Sequence, residues 1–183
     1  MTYIQKLFGH TKTVLKHKYW VFRFACKLHI PVRGFFHDFS KFNPIEFFES
    51  VKYYTGKKSP ILSCKADKGY SRAWQHHKGH NPHHYEYWVD NLNKGGTPIL
   101  IPFKYCLEMV CDYLAAGKTY QGKKFSYADE YNWWMKEAKS ITVMHPAIME
   151  FLRMTFLMAK ETNGQTLTKK TLRIYYNNAL RND

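Results

Sequence analysis

Residues 102–117 read PFKYCLEMVCDYLAAG. A proline at the start, a glycine at the end and an almost unbroken apolar middle describe one helix, opened by Pro102, running to Ala116 and stopped by Gly117. Inside it, Asp112 is flanked by Val110, Cys111 and Leu114, so its carboxylate falls where a core is expected. A buried carboxylate is costly unless it is paired or ligates a cation. A lysine or arginine partner is the ordinary solution, and a metal ion is the other. Glu108, one turn earlier, shares the face and is placed to support such a site.

The same periodicity extends outward through most of the chain. From Tyr3 to about His29, apolar residues at Ile4, Leu7, Phe8, Val14, Leu15, Phe22 and Cys26 approach a 3.6-residue repeat. Pro31 and Gly34 then break the chain. Asn43-Pro44 before Ile45, Phe47, Phe48 and Val51 reads as an N-cap, a proline at the first helical position and a short helix. The stretch from Gly56 to Gly69 is polar and reads as a loop. A short helix is expected from Ser71 to Lys78, and Asn81-Pro82 is expected to start another through His84 and Trp88 to about Leu92, ended by Gly95-Gly96. Further helices run from Ser126 to about Lys139, from His145-Pro146 to near Gly164, and onward from a Thr168 cap. No β-alternating run or repeat competes with them, so the fold class is all-α. The 183 residues suit one domain, 1–183, with a core over about 10–160 and a last helix over about 168–180.

Lys and Arg number 28 against 14 Asp and Glu, a net charge of +14 that favours anionic partners such as a nucleotide, another phosphorylated metabolite or nucleic acid. The four cysteines show no paired spacing, which fits reduced thiols and a cytoplasmic location. Lys and His interrupt every apolar stretch of the N-terminus, so no signal-peptide core is present. Glu150 and Arg153 interrupt the apolar segment Ala147–Ala159, too short to span a bilayer, and no membrane partner is expected. Ile148 to Met158 is read as core, with a homodimer face as the other reading.

Ten histidines, five of them in HHKGHNPHH at 76–84, are the strongest chemical signal. Neutral imidazole and carboxylate together are ligands for Zn, Fe, Mn and Co ions. His17 falls on a helix face with Val14, Val21, Phe24 and Leu28, where an imidazole needs a hydrogen-bonding partner or a metal. His37 and Asp38 are adjacent, diverge on a regular helix, and can reach one ion only at a turn or terminus.

The order of His17, His37-Asp38, His76-His77, His83-His84 and Asp112 resembles the HD-domain superfamily of metal-dependent phosphohydrolases. The resemblance implies an HD-like helical bundle holding one or two divalent ions, in which His17, His37, Asp38 and Asp112 bind the first and intervening histidines can bind a second or, in a single-metal enzyme, contact substrate. HDFSK is similar to the HDxxK form of that motif, which implies that Lys41 contacts a substrate phosphate. HHYE at 83–86 is similar to the HHE segment of HD enzymes with expanded metal centres, although no GYP segment follows it. More narrowly, HDFSKFNP, AWQHHKGHNPHHYEYW and EMVCDY together resemble an uncharacterised bacterial and phage family, over about His10 to His145.

Spacing does not choose among the clustered histidines. On a helix starting at Pro82, His83 and Glu86 share one face and His84 and Trp88 another. His77 and His84 are the expected ligands of the second ion, with His83 and His76 as alternates and His80 as a further candidate. The expected chemistry is hydrolysis of a phosphate ester by metal-activated water, with Asp38 bridging ions or orienting the water. Lys41, with Arg33 and Lys78 as weaker candidates, would offset charge on the phosphate. Trp74 and Trp88 would stack a base, or else pack around the site. His145 reads as a capping residue. A di-iron HD-type oxygenase and a non-catalytic nucleic-acid-binding protein are the competing functions.

Overall fold

A computed structural model, described over residues 1–181, contains nine α-helices and one very short β-ribbon among those residues. The last two residues of the expected domain lie outside them. The helices are α1 (Tyr3–Lys27), α2 (Pro31–Phe36), α3 (Pro44–Tyr53), α4 (Pro60–Lys68), α5 (Arg72–His80), α6 (Phe103–Gln121), α7 (Tyr127–Glu137), α8 (Pro146–Glu161) and α9 (Lys169–Arg181). The strands β1 (Val89–Asp90) and β2 (Thr97–Pro98) pair antiparallel, Val89 against Pro98. The all-α reading holds.

α1 and α6 form the central pair, with α2 to α5 on one side and α7 to α9 on the other. α6 is buried nearly all round, which is why its sequence is apolar nearly all round. Leu107, Val110 and Leu114 pack with Trp134 of α7, Ile148, Phe151 and Phe156 of α8, and Leu172 of α9. Each such side chain contributes about 1.5–3 kcal/mol by leaving water. The segment Ile148 to Met158 is therefore core on its Ile148, Phe151, Leu152 and Phe156 side. Among the described residues no helix is long and apolar enough to cross a membrane, and all four cysteines are free.

Several sequence expectations are corrected. The break expected at Pro31 occurs, since α1 ends at Lys27, but Gly34 makes none. Pro31 opens α2, and Gly34 sits inside it where a Cβ would collide with Ala25 of α1. The polar stretch after Gly56 contains α4, started by Pro60 and closed by Gly69 in the left-handed conformation. Asn81-Pro82 starts no helix: a 3-10 turn over Tyr85–Trp88 leads into β1 instead. Gly117 does not stop α6, which runs on to Gln121. It lies where Glu130 of α7 approaches the helix closely.

The faces of α1 and α3 also differ from expectation. The side of α1 turned inward is His10, Val14, His17, Val21 and Ala25, while Ile4, Phe8, Leu15 and Phe22 are exposed. In α3 the exposed side carries Ile45 and Phe48, and Glu46 and Ser50 are buried with Val51. Both helices turn polar groups toward one interior region.

Candidate metal centre

Helix α1 presents His17 toward α6, where Asp112 meets it. The pair His37-Asp38 follows α2. Asp38 has φ 54° and ψ 32°, a left-handed conformation that aspartate tolerates better than most residues. This turn converts two side chains that would diverge on a helix into two that converge. Lys18 of α1 donates to the His37 carbonyl and holds the turn in place. A 3-10 turn over Phe39–Phe42 then brings Lys41 back onto the Asp38 carboxylate.

Three overlapping groups of ligand atoms result, each within 4.8 Å: His17, His37, Asp38 and Asp112; Asp38, His77, His83 and His84; and His37, His83 and Glu108. Asp38 belongs to the first two, one oxygen to each. Its Oδ2 lies 3.2 Å from His37 Nε2 and 3.8 Å from His17 Nε2. Its Oδ1 lies 3.4 Å from both His77 Nε2 and His83 Nε2. Asp112 Oδ1 is 3.0 Å from His17 Nε2 and 3.4 Å from His37 Nε2.

These residues fit divalent ions. Bonds of about 2.1 Å place neighbouring ligand atoms roughly 3.0–3.4 Å apart in octahedral or tetrahedral coordination. The separations of Asp38 from His37, His77 and His83, and of Asp112 from His17 and His37, fall in that range. The Nε2 atoms of His17, His37, His83 and His84 and Oδ1 of Asp38 are buried and have no hydrogen-bond partner. Five orphaned atoms around one locus are an expensive arrangement that a cation relieves.

The Nδ1 atoms of His37, His83 and His77 are engaged by carboxylates. Glu108 Oε1 accepts from His37 Nδ1 at 3.0 Å and lies 3.3 Å from His83 Nδ1, while its Oε2 accepts from Arg33 at 2.8 Å. Glu46 Oε2 accepts from His77 Nδ1 at 2.8 Å, and its Oε1 accepts from His76 Nδ1 at 2.7 Å. A carboxylate on Nδ1 fixes the ring and leaves the Nε2 lone pair for a metal.

Burial, reinforced by Lys41, lowers His17 to about 4, and burial with His83 beside it lowers His84. Both imidazoles are therefore neutral and able to ligate at pH 7. Burial opposes charge on His37, but Asp38, Asp112 and Glu108 overcome it and raise its pKa well above the usual value. The negative field that favours a proton there equally favours a divalent cation. Burial also opposes ionisation of Asp38 and Asp112, yet their basic neighbours, His37 foremost for Asp38 and His17 for Asp112, hold both well below the carboxylate range.

Two cavities flank this cluster. A cleft of about 580 Å³ meets its outer side at Arg33, Glu108, His80 and His83. A more enclosed cavity of about 210 Å³ is lined by His17, His77, His84, Asp112 and Lys41, while Asp38 and His83 line the larger cleft.

The structure thus brings together His17, His37, Asp38, Asp112, His77 and His84, with His83 as a further donor. His76 instead stacks on His80 at 4.0 Å, and His80 is exposed, its Nδ1 2.7 Å from the His76 carbonyl. Neither is in a donor group. Nor is Glu86, because the helix that would have aligned it with His83 does not form. Burial raises the Glu86 carboxyl.

Arg33 is engaged by Glu108 and lies over the Tyr105 ring at 4.6 Å. Trp74 lines the small cavity and packs on His84, 4.9 Å between centroids. Trp88 and Lys78 line neither cavity, and the Trp88 indole N–H donates to the Pro82 carbonyl at 2.7 Å. His145 caps α8, its Nδ1 accepting from Ala147 at 3.3 Å. Sequence reasoning missed Glu46, Ser40, Asn81, His10 and Thr119. For Glu46 the available signal was its i, i+4 pairing with Ser50 on the side of α3 opposite Ile45 and Phe48.

Residues 6–158 match the model of a family of unknown function, DUF5662, and the chain belongs to that family. No curated protein and no solved structure matches it.

Proposed function

We propose that this member of the DUF5662 family is a metal-dependent phosphohydrolase of the HD-domain type, holding two divalent ions and hydrolysing a small phosphate ester. The observation that carries the reading is the division of Asp38 between two groups of imidazoles, Oδ2 toward His17 and His37 and Oδ1 toward His77 and His83. The order of these residues along the chain, which resembles that of HD-domain enzymes, supports it, as does the net charge of +14 for an anionic substrate.

His17, His37, Asp38 and Asp112 would hold one ion and Asp38, His77, His83 and His84 the other. Divalent ions held there would supply Lewis acidity, to lower the pKa of water and polarise a phosphoryl oxygen. Lys41 stands over the Asp38 carboxylate and lines the small cavity, where its ammonium offsets charge gathering on the phosphate oxygens. Glu46 and Glu108 are positioning residues that keep the imidazoles aimed.

The test is metal analysis of purified wild type and Asp38→Asn, paired with a phosphate-release screen of esters supplemented with Mn, Co, Zn or Fe. Two ions per chain in wild type, lost in the variant together with phosphate release, is the expected result. Iron with dioxygen consumption and no phosphate release would replace hydrolysis by oxygenase chemistry. No bound metal after reconstitution would overturn the reading and make salt-dependent nucleic-acid binding the next assay.

A further inference from the structure

Resting on the phosphohydrolase reading, we infer that the 210 Å³ cavity is the substrate pocket and that His10 and Thr119 bind the hydroxylated body of a small phosphomonoester. Both residues line the cavity beside Lys41 and the donor atoms of His17, His77, His84 and Asp112. Neither belongs to a group of candidate metal ligands.

Each carries a polar atom with no explanation in the fold. His10 and Thr119 are both 6% exposed, and His10 Nδ1 and Thr119 Oγ1 are buried without a hydrogen-bond partner. Two unsatisfied polar atoms on one small cavity each cost about 1–3 kcal/mol. The threonine is the more telling, because a helical threonine ordinarily returns its hydroxyl to a carbonyl one turn back. Thr11 and Thr13 do so, donating to Leu7 O at 2.8 Å and Gly9 O at 2.9 Å. Thr119 keeps its hydroxyl free.

Both groups are held in position. The His10 ring lies between Phe47 and Tyr54, with centroids 5.4 and 5.9 Å away. Lys16 of α1 donates to the Thr119 carbonyl at 2.6 Å and pins the end of α6. Burial, then Lys41, lowers His10 to about 4, so its imidazole is neutral and suits a hydroxyl better than a phosphate oxygen. A ligand hydroxyl is both donor and acceptor, so its chemistry matches either group.

Size and placement define the ligand. The cavity is the smaller and more enclosed of the two that flank the cluster, about 210 against 580 Å³. Val14, Pro60, Ile61 and Ala116 give it an apolar wall for the carbon chain. His10 precedes His17 by two turns, about 10 Å along α1. The phosphate therefore sits at the Lys41 end, with the hydroxylated end toward His10.

The test is calorimetric binding of two non-hydrolysable probes, 3,4-dihydroxybutylphosphonate and butylphosphonate, to Mn-loaded protein. Wild type is expected to prefer the dihydroxy probe about tenfold. His10→Leu and Thr119→Val should each reduce that preference below about threefold with metal content unchanged. Equal binding of the two probes by wild type, a preference that survives both variants, or no phosphonate binding at all would overturn the inference. Preferential probe binding without phosphate release from any ester would leave the pocket assignment standing and refute the hydrolase reading alone.

Discussion

Glu46 Oε2 accepts from His77 Nδ1 at 2.8 Å, and the opposite nitrogen of the same ring lies 3.4 Å from Asp38 Oδ1. The first contact aims the second. Burial raises the Glu46 carboxyl, but hydrogen bonds from His77 and His76 more than offset this and keep it ionised.

Removing that carboxylate frees the ring and reduces its basicity. Glu46→Ala is expected to weaken divalent-ion affinity by about 10–100-fold while the helical content is retained. Competition titration against a chromophoric chelator measures it. Wild-type affinity in the variant would assign Glu46 to packing alone.

Substitutions at the two donor groups should separate. Asp38→Asn is expected to lose both ions, because the neutral amide replaces the shared carboxylate. Asp112→Asn should lose the ion held with His17 and His37, and His84→Ala the one held with His77 and His83. Metal content by elemental analysis reads this directly, as none, one and one per chain.

Lys41 contacts the Asp38 carboxylate and lines the small cavity. Lys41→Met preserves much of the side-chain volume and removes the charge. A fall in kcat/KM of about 10²–10³-fold, with both ions still bound, is the expected outcome. An unchanged rate constant would remove Lys41 from the reaction.

Gly34 lets α2 lie on α1 against Ala25 and Phe22. Gly34→Ala overfills that contact and is expected to destabilise the chain by about 1–3 kcal/mol in denaturant unfolding. Because His37 and Asp38 follow directly, metal affinity should fall with it. Full stability in the alanine variant would show that the helices separate at little cost.

Glu130 is 2% exposed, and burial, followed by the nearby Asp112 charge, raises its carboxyl to about 8. Between the ordinary value of 4.5 and about 8, the folded chain keeps a proton that the unfolded chain has released. Its contribution to stability therefore falls as pH rises through that window and stays low above it. Glu130→Gln should match wild type near pH 4.5 and exceed it by roughly 2–4 kcal/mol at about pH 9. Denaturant curves for both at several pH values test this, and a constant difference across the range would contradict it.

What could be read in the sequence follows from how local each signal is. Asn43-Pro44 and Asn81-Pro82 look alike, but Asn43 Oδ1 accepts from Ile45 N and caps α3, whereas Asn81 Nδ2 donates to Ser40 Oγ and the His77 carbonyl. The second asparagine is occupied by a tertiary contact that no dipeptide rule reveals. α4 was hidden because its polar composition outweighed the proline and glycine at its ends. His17 and Asp112 stood out as polar groups on apolar faces, and His37 with Asp38 through the motif they form. Glu46 and His10 did not, because Ile45, Phe48, Ile4 and Phe8 suggested apolar faces that solvent in fact meets. Where a polar site is buried, amphipathicity inverts locally.

The left-handed backbone at Asp38 limits which amino acids the position can hold. Glycine, asparagine and aspartate are the residues that adopt that conformation readily. Of these three, aspartate alone offers two anionic oxygens, so stereochemistry and charge select the same residue independently. Glutamate could bridge two ions in solution chemistry but meets the wrong backbone here. A collection of random variants should therefore show position 38 tolerating asparagine for folding and nothing but aspartate for metal retention, a two-tier pattern that distinguishes it from His17, His77 and His84.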